Sequence, residues 1–185
     1  MTLSLMTEKG VSFIKRFEKF EPVGYLDIAG VPTNGWGHTG ADVEPGVRID
    51  KALAEENLRK DLIPVERAIA RFFGGHLADW EADAVGSWLF NVGTGALDPH
   101  FAPRTCRRAN MALIAITNMA REVSWRRRAA LQPLAEAIHM WNKATIGGIL
   151  QEVAGLTRRR NEEAELLLFG DYEWGDEGIV AAPGM

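Results

Sequence analysis

Apolar residues recur at helical spacing at the start of the chain. Between residues 7 and 20 they share one arc of a helical wheel, opposite serine, lysine and arginine. These apolar residues are Val11, Phe13, Ile14 and Phe17. Thr7 is a typical N-cap, and Pro22 disfavours helical geometry in the residue before it, so a helix is predicted to end by about residue 20. Glu18 lies on the apolar arc, an unusual position for a carboxylate.

A glycine-rich stretch with short strand-like segments follows, from residue 23 to residue 39. The glycines separate short pieces that carry apolar, aromatic and β-branched residues. Those residues are Tyr25, Val31, Thr33 and Trp36. This spacing is typical of a β-hairpin or small sheet, and it predicts a turn at Ala29–Gly30.

Helical spacing returns over the rest of the chain. Asp50 is a candidate N-cap for a helix that runs to about residue 62, and Pro133 is expected to begin or kink a later helix. Further helical patterns cover residues 64–73, 78–92, 104–121, 124–142 and 144–168. Because the strands occur in one place and do not alternate with helices, the pattern predicts an α+β fold. It is expected to be mostly helical with one small antiparallel sheet.

The length of 185 residues and the hydrophobic content of 46% fit one globular domain. The single cysteine, Cys106, excludes an internal disulfide and fits synthesis in a reducing compartment. No stretch of 18 apolar residues exists, and residues 1–10 lack the apolar core of a secretory signal. We therefore expect neither a transmembrane segment nor a signal peptide.

The net charge of −4 is unevenly distributed. Residues 104–160 contain eleven Lys/Arg and three Asp/Glu, whereas residues 162–185 contain seven acids and no base. The basic half suggests contact with a polyanion, for which nucleic acid, anionic wall polymer and anionic lipid all qualify. The alternative is an ordinary solvated surface. His76, His100 and His139 lie far apart without ligand spacing, so no metal site and no cofactor are expected.

Two carboxylates suggest chemistry. Apolar neighbours of Glu18 favour its neutral form, which a general acid needs, whereas Asp27 lies in a polar stretch that favours the ionised form. Two carboxyl groups across a cleft can hydrolyse a glycosidic bond. Taken singly, Glu18 also reads as a surface glutamate at a helix end, Asp27 as a turn aspartate, and Thr33 as an ordinary hairpin hydroxyl.

The spacing of these three residues resembles the catalytic signature of the phage-type lysozymes, glycoside hydrolase family 24. Glu18 is followed after eight residues by Asp27 and after five more by Thr33, and the run 34–39, Asn-Gly-Trp-Gly-His-Thr, comes next. Residues 87–95, 141–143 and 155–163 are similar to later elements of the family, in the same order. The resemblance covers about residues 8–168.

The resemblance implies a lysozyme-like fold and a role for each signature residue. Glu18 is expected to be the general acid, Asp27 the carboxylate that positions and activates a water, and Thr33 the residue that holds this water. The family works with inversion, which needs a carboxyl separation of roughly 6.5–9.5 Å. A sheet lobe is expected at about 20–50 and a helical lobe at about 62–168 within one domain, 1–170. Residues 171–185 form an acidic tail that is expected to be poorly ordered.

The resemblance also implies further site residues. His38 and Asp61 are expected to form a structural pair, Asn91 to bind sugar through its amide, and either Arg158 or Arg159 to face Glu18 across the cleft. Trp36 is expected at the cleft edge, where its ring could meet a sugar face.

The stretch between residues 95 and 141 is longer than is usual in the family, and it is rich in arginine. Its arginines are Arg104, Arg107, Arg108, Arg121, Arg126, Arg127 and Arg128, with Trp125 among them. We expect a cationic amphipathic segment that contacts anionic wall polymer or outer-membrane lipid. The alternative is an ordinary surface helix.

The function implied is that of a monomeric endolysin. It would hydrolyse the β-1,4 bond between N-acetylmuramic acid and N-acetylglucosamine in peptidoglycan, and nucleic acid would not be a partner. It would remain in the host cytoplasm until a separate pore-forming protein, a holin, opens the membrane. The alternatives are a lytic transglycosylase, which needs the acid but no water-activating Asp27, and a non-catalytic cationic protein that binds wall or membrane.

Overall fold

The computed structural model describes residues 5–27 and 30–173. The helices within those ranges are α1 (Glu8–Phe17), α2 (Lys51–Phe73), α3 (Asp79–Val92), α4 (Pro103–Ile116), α5 (Trp125–His139) and α6 (Ala154–Phe169), with a 3₁₀ turn at Thr94–Leu97. The strands are β1 (Glu21–Leu26), β2 (Pro32–Gly35), β3 (His38–Thr39), β4 (Lys143–Ile146) and β5 (Ile149–Glu152). Ala29 of the predicted turn and the tail beyond residue 173 lie outside the described residues.

The first three strands form an antiparallel sheet in the order β1–β2–β3. A small apolar core joins this part of the chain to α1 and to the first half of α2. Its buried side chains are Met6, Val11, Ile14, Trp36, Ala54, Leu58 and Leu62. Gly35 and Gly37 have φ angles of 58° and 85°, so the tight β2–β3 turn forms without the strain that a Cβ would add.

Helix α3 lies at the centre of the larger core. Its apolar residues Ala84, Val85, Trp88 and Leu89 have no exposed surface, and the other core residues come mainly from α2, α4, α5 and α6. Three polar residues of α3 are equally buried, namely Glu81, Asp83 and Ser87. Because a buried polar group without a partner is costly, each of these three must meet a partner from another element.

Helix α2 contributes to both cores and continues through Pro64, where the sequence predicted two separate segments. Its residues before the proline pack in the small core, and Val65, Ile69 and Phe73 pack in the large one. Pro64 itself is exposed. Burial on both sides of the proline therefore outweighs the one backbone hydrogen bond that it removes.

The predicted α+β class is confirmed, but the prediction of a single sheet was wrong. Strands β4 and β5 form a second antiparallel hairpin within the stretch 144–168 that was predicted to be helical, and α6 begins only at Ala154. Gly147 and Gly148 have positive φ and form its two-residue turn. Over the described part of the chain, no helix is long and apolar enough to cross a bilayer.

The arginine-rich stretch forms surface helices, but not all of its arginines face water. Arg127 is 1% exposed and donates two hydrogen bonds to Glu81 of α3, so its assignment to an exposed cationic face was wrong. Arg108 forms an ion pair with Glu136 of α5 at 3.3 Å. The sequence did not predict these partners because they lie on other helices.

Candidate active site

Glu18 lies where α1 ends. It is the C-cap residue, with extended geometry at φ −91° and ψ 123°, which explains why α1 is shorter than predicted. Its Oε1 accepts a hydrogen bond from Nη1 of Arg159 at 2.7 Å, and its side chain is 22% exposed. A Cβ on Gly37 would lie 3.8 Å from Oε2, so the β2–β3 turn approaches the second oxygen of the same carboxyl.

Arg159 of α6 is fixed by three further contacts. Its Nε donates to Glu163 at 3.0 Å, and its Nη2 donates to the carbonyl oxygen of Ser87 at 3.2 Å. The guanidinium also lies over the ring of Phe17 at 4.9 Å. With its donors directed at different groups, Arg159 holds Glu18 in one orientation relative to α3 and α6.

A buried layer behind Arg159 completes this network. Glu163 is fully buried and accepts a hydrogen bond from the Ser87 hydroxyl at 2.8 Å. Burial raises the pKa of Glu163, while the neighbouring guanidiniums of Arg160 and Arg159 act in the opposite direction. Arg160 also donates to Oδ1 of Asn91 at 2.8 Å.

Asp27 follows β1, where the chain turns into β2. Its Oδ1 accepts the backbone N–H of Val31 at 2.8 Å, and its own N–H donates to the carbonyl oxygen of Val31 at 3.0 Å. Gly30 donates to the carbonyl oxygen of Asp27 at 2.9 Å. These contacts fix the carboxylate at the turn between the two strands.

Thr33 lies in β2, opposite Tyr25 of β1 and Thr39 of β3, and it is 5% exposed. Its hydroxyl donates to the carbonyl oxygen of Val31 at 3.0 Å. The same carbonyl accepts the N–H of Asp27, so Val31 joins the two predicted site residues. Because the hydroxyl proton of Thr33 is used in this bond, its oxygen can act as an acceptor.

His38 and Asp61 meet, as the resemblance implies. Nδ1 of His38 is 2.9 Å from Oδ2 of Asp61, and Nε2 is 3.3 Å from Asp42, a second carboxylate that sequence reasoning missed. Burial raises the pKa of Asp61. The pKa of Asp42 is lowered by hydrogen bonds from the backbone N–H of Asp42 itself and from His38. The contact links β3 to α2, so its geometry fits a structural role.

Three other site predictions fare differently. Arg159 and not Arg158 contacts Glu18; the side chain of Arg158 is 67% exposed and pairs with Glu162. Asn91 is exposed, but its amide oxygen is bonded to Arg160. Trp36 is only 8% exposed, so the prediction of a cleft-edge aromatic was wrong.

The burial of Trp36 has a physical cause in its neighbours. Its ring lies 4.8 Å from the ring of Phe20, and Nζ of Lys15 lies over its face at 4.4 Å. Side chains from α1 and from the residues that follow it thus cover the indole.

A buried carboxylate outside the signature also positions α1. Asp83 of α3 accepts hydrogen bonds from the backbone N–H and hydroxyl of Thr7, the N-cap of α1, and from the Tyr172 hydroxyl at 2.6 Å. Burial raises the pKa of Asp83. The position of Asp83 beside the apolar residues of α3 was the only signal for this cluster in the sequence.

We predict that Tyr172→Phe destabilises the fold by about 1.5–3 kcal/mol at neutral pH, because a buried carboxylate loses a donor. The pKa of Asp83 is raised on folding, so this residue's contribution to stability falls as pH rises through its titration. Removing the Tyr172 hydroxyl raises the pKa of Asp83 further. The loss of stability caused by the substitution is therefore expected to grow as pH rises. Denaturant unfolding of both proteins from acidic to neutral pH checks this, and a loss that shrinks as pH rises would contradict it.

The family described as phage lysozyme matches residues 15–163. The endolysin of Salmonella phage P22 is 31% identical over 166 residues, which cover 88% of this chain and 97% of the relative. The endolysin of Bacillus phage B103 is 28% identical over 171 residues, or 90% of this chain. This chain spans only 55% of the length of that relative and 42% of a SAR-endolysin from bacteriophage PS119.

Solved structures agree with the sequence relatives. The muramidase domain of SpmX from Asticaccaulis excentricus superposes with a TM-score of 0.68 at 26% identity, covering 88% of this chain and 97% of that domain. A P22 lysozyme mutant superposes with a TM-score of 0.65 at 29% identity, with the same coverage. Because some relatives are SAR-endolysins, the route by which this chain would reach a cell wall stays a prediction.

Proposed function

Since this chain belongs to the phage lysozyme family, we propose that it is an endolysin that hydrolyses the β-1,4 bond between N-acetylmuramic acid and N-acetylglucosamine in peptidoglycan. The observation that carries this proposal is the pairing of Glu18 with Arg159 at 2.7 Å. This contact fixes one carboxyl at the end of α1, while Asp27 supplies a second carboxyl from the neighbouring hairpin. Two carboxyl groups held by different elements are what glycoside hydrolysis requires.

In the proposed mechanism Glu18 is the general acid. Its Oε1 is engaged by Arg159, so Oε2 is the oxygen that carries the proton to the leaving glycosidic oxygen. The glycine at position 37 supports this assignment, because a larger residue would narrow the space beside Oε2. Protonation lets the bond between the anomeric carbon and the leaving oxygen break without releasing an alkoxide.

Asp27 and Thr33 deliver water to the opposite face of the sugar. The Thr33 oxygen accepts one hydrogen bond from the water, because the hydroxyl proton is already donated to Val31. As the water oxygen bonds to the anomeric carbon, Asp27 accepts the other proton of that water. The outcome is inversion, with one proton moved from Glu18 to the leaving group and one from water to Asp27.

Product analysis tests this function against the transglycosylase alternative. Digestion of purified peptidoglycan in isotopically labelled water is expected to give reducing muramic acid ends that carry one labelled oxygen per cut. Proton magnetic resonance at early times is expected to show the α-anomer at the new end, since the substrate bond is β. Anhydromuramyl ends would overturn hydrolysis, and an initial β-anomer would overturn inversion.

A further inference from the structure

The junction of α4 and α5 exposes a group of large apolar side chains. Ile114 is 77% exposed and Trp125 is 68% exposed, the first near the end of α4 and the second at the start of α5. We call the group the apolar corner. Its members are Met111, Ile114, Met119, Val123 and Trp125.

Helix α4 cannot rotate to bury the side chains of the apolar corner. The opposite face of α4 is already buried in the large core through Ala109, Ala112 and Ile116. The connection between the helices is anchored by Arg127, whose Nη1 donates to the carbonyl oxygen of Ala120 at 3.1 Å. Because Arg127 is itself tied to Glu81, the corner is held rigidly outward.

Exposed arginines surround the apolar corner. Arg104 and Arg107 lie on the outer face of α4, about two to three turns before Ile114, and Arg121 and Arg126 lie in and after the connection. Among residues 5–27 and 30–173, none of these four has an acidic partner within ion-pair distance. The guanidinium of Arg126 lies over the ring of Trp125 at 5.4 Å. The one acid between residues 104 and 128 is Glu122.

We propose that the apolar corner docks on the surface of an anionic phospholipid bilayer. A polyanionic wall polymer would neutralise the arginines but leave the apolar side chains in water. A neutral apolar partner would bury those side chains but leave the guanidiniums without counter-charge. The boundary of an anionic bilayer offers acyl chains beneath and phosphate groups around, and tryptophan is enriched at that depth.

Docking is separate from the hydrolysis proposed above, because the corner belongs to α4, α5 and their connection, whereas Glu18, Asp27 and Thr33 lie at the end of α1 and in the first hairpin. It would hold the protein at a membrane next to the peptidoglycan layer. The soluble activity on peptidoglycan fragments should therefore not depend on the corner.

Vesicle co-sedimentation tests the proposal with three variants. Wild type is expected to bind vesicles of phosphatidylethanolamine with phosphatidylglycerol, but not vesicles of phosphatidylcholine. Ile114→Ser with Trp125→Ser should weaken binding by about tenfold or more, since burial of apolar surface drives insertion. Wild-type binding should weaken as salt is raised, and replacing the four surrounding arginines by Gln should abolish it. The matched control is Ile149→Ser with Leu150→Ser on β5, whose side chains are 68% and 67% exposed.

Each remaining outcome decides against the proposal. Equal losses for the corner and β5 variants would show non-specific hydrophobic adhesion. Binding to wall polymer that survives the Ile114 and Trp125 changes but not the arginine changes would assign the surface to a polymer. Concentration-dependent dimerisation of wild type, lost in the serine variant, would assign it to a second copy. Thermal unfolding and hydrolysis of soluble fragments verify that every variant is folded.

Discussion

Glu18→Gln is expected to abolish peptidoglycan hydrolysis while the protein remains folded. Glutamine has nearly the same shape, and its amide oxygen can still accept from Arg159, which also keeps its contact with Glu163. The amide has no proton to give to the leaving oxygen, and loss of a general acid costs about a hundred-fold to ten-thousand-fold in rate. The rate is measured as clearing of cells stripped of their outer membrane and as release of reducing ends.

Glu21→Gln is the matched control for this experiment. Glu21 begins β1, three positions after Glu18, and its carboxylate pairs with Lys19 at the surface. The same chemical change there should leave the hydrolysis rate within about twofold of the wild-type rate, because Glu21 is neither the proposed acid nor one of the residues proposed to deliver the water. If Glu18→Gln protein still clears cells at the wild-type rate, the chain acts without this acid, and the non-catalytic cationic alternative gains support.

Glu81→Gln is expected to give a very large loss of stability, about 3–5 kcal/mol. Arg127 is 1% exposed and Glu81 has no exposed surface, so the substitution leaves a buried guanidinium without its counter-charge. Glu81 also accepts the backbone N–H of Ala78 at the start of α3, at 2.8 Å, and that bond is weakened in the neutral amide. Equilibrium denaturation by urea measures the loss.

Glu136→Gln provides the comparison, because Glu136 pairs with Arg108 and so joins the same helices, α4 and α5, at the surface. The glutamate side chain is 59% exposed, and water replaces the lost contact, so we expect a loss of no more than about 1 kcal/mol. Similar losses in the two variants would mean that the Arg127–Glu81 pair is not a buried ionic contact in solution.

Local sequence patterns predicted the elements whose geometry is decided locally. The arc of apolar residues in α1, the glycine-separated strands and the apolar helix α3 all lie close to their predicted positions. Pro64 misled the interpretation because packing against two cores keeps α2 continuous. The stretch 144–168 was predicted to be helical throughout, but its first part pairs as the hairpin of β4 and β5, with Gly147 and Gly148 at the turn.

The candidate site also combines residues that the local sequence predicts with contacts that it does not predict. Glu18, Asp27 and Thr33 lie within one short run, so their spacing carries information about the chemistry. The partner of Glu18 lies 141 residues away, and the choice between Arg158 and Arg159 depends on which face α6 presents. The contact of Asp83 with Tyr172 spans 89 residues and has no local signature. The burial of Trp36 likewise depends on packing against α1 and α2, which the sequence around the β2–β3 turn does not describe.

The pairing of Glu18 with Arg159 also sets an order of events during synthesis. The residue that orients the proposed acid belongs to α6, the last helix described, so it leaves the ribosome long after the hairpin of Asp27 and Thr33. A nascent chain therefore carries the complete signature while the side chain of Glu18 still lacks its guanidinium partner. The proposed activity would therefore appear only after α6 has been synthesised and has packed against the end of α1.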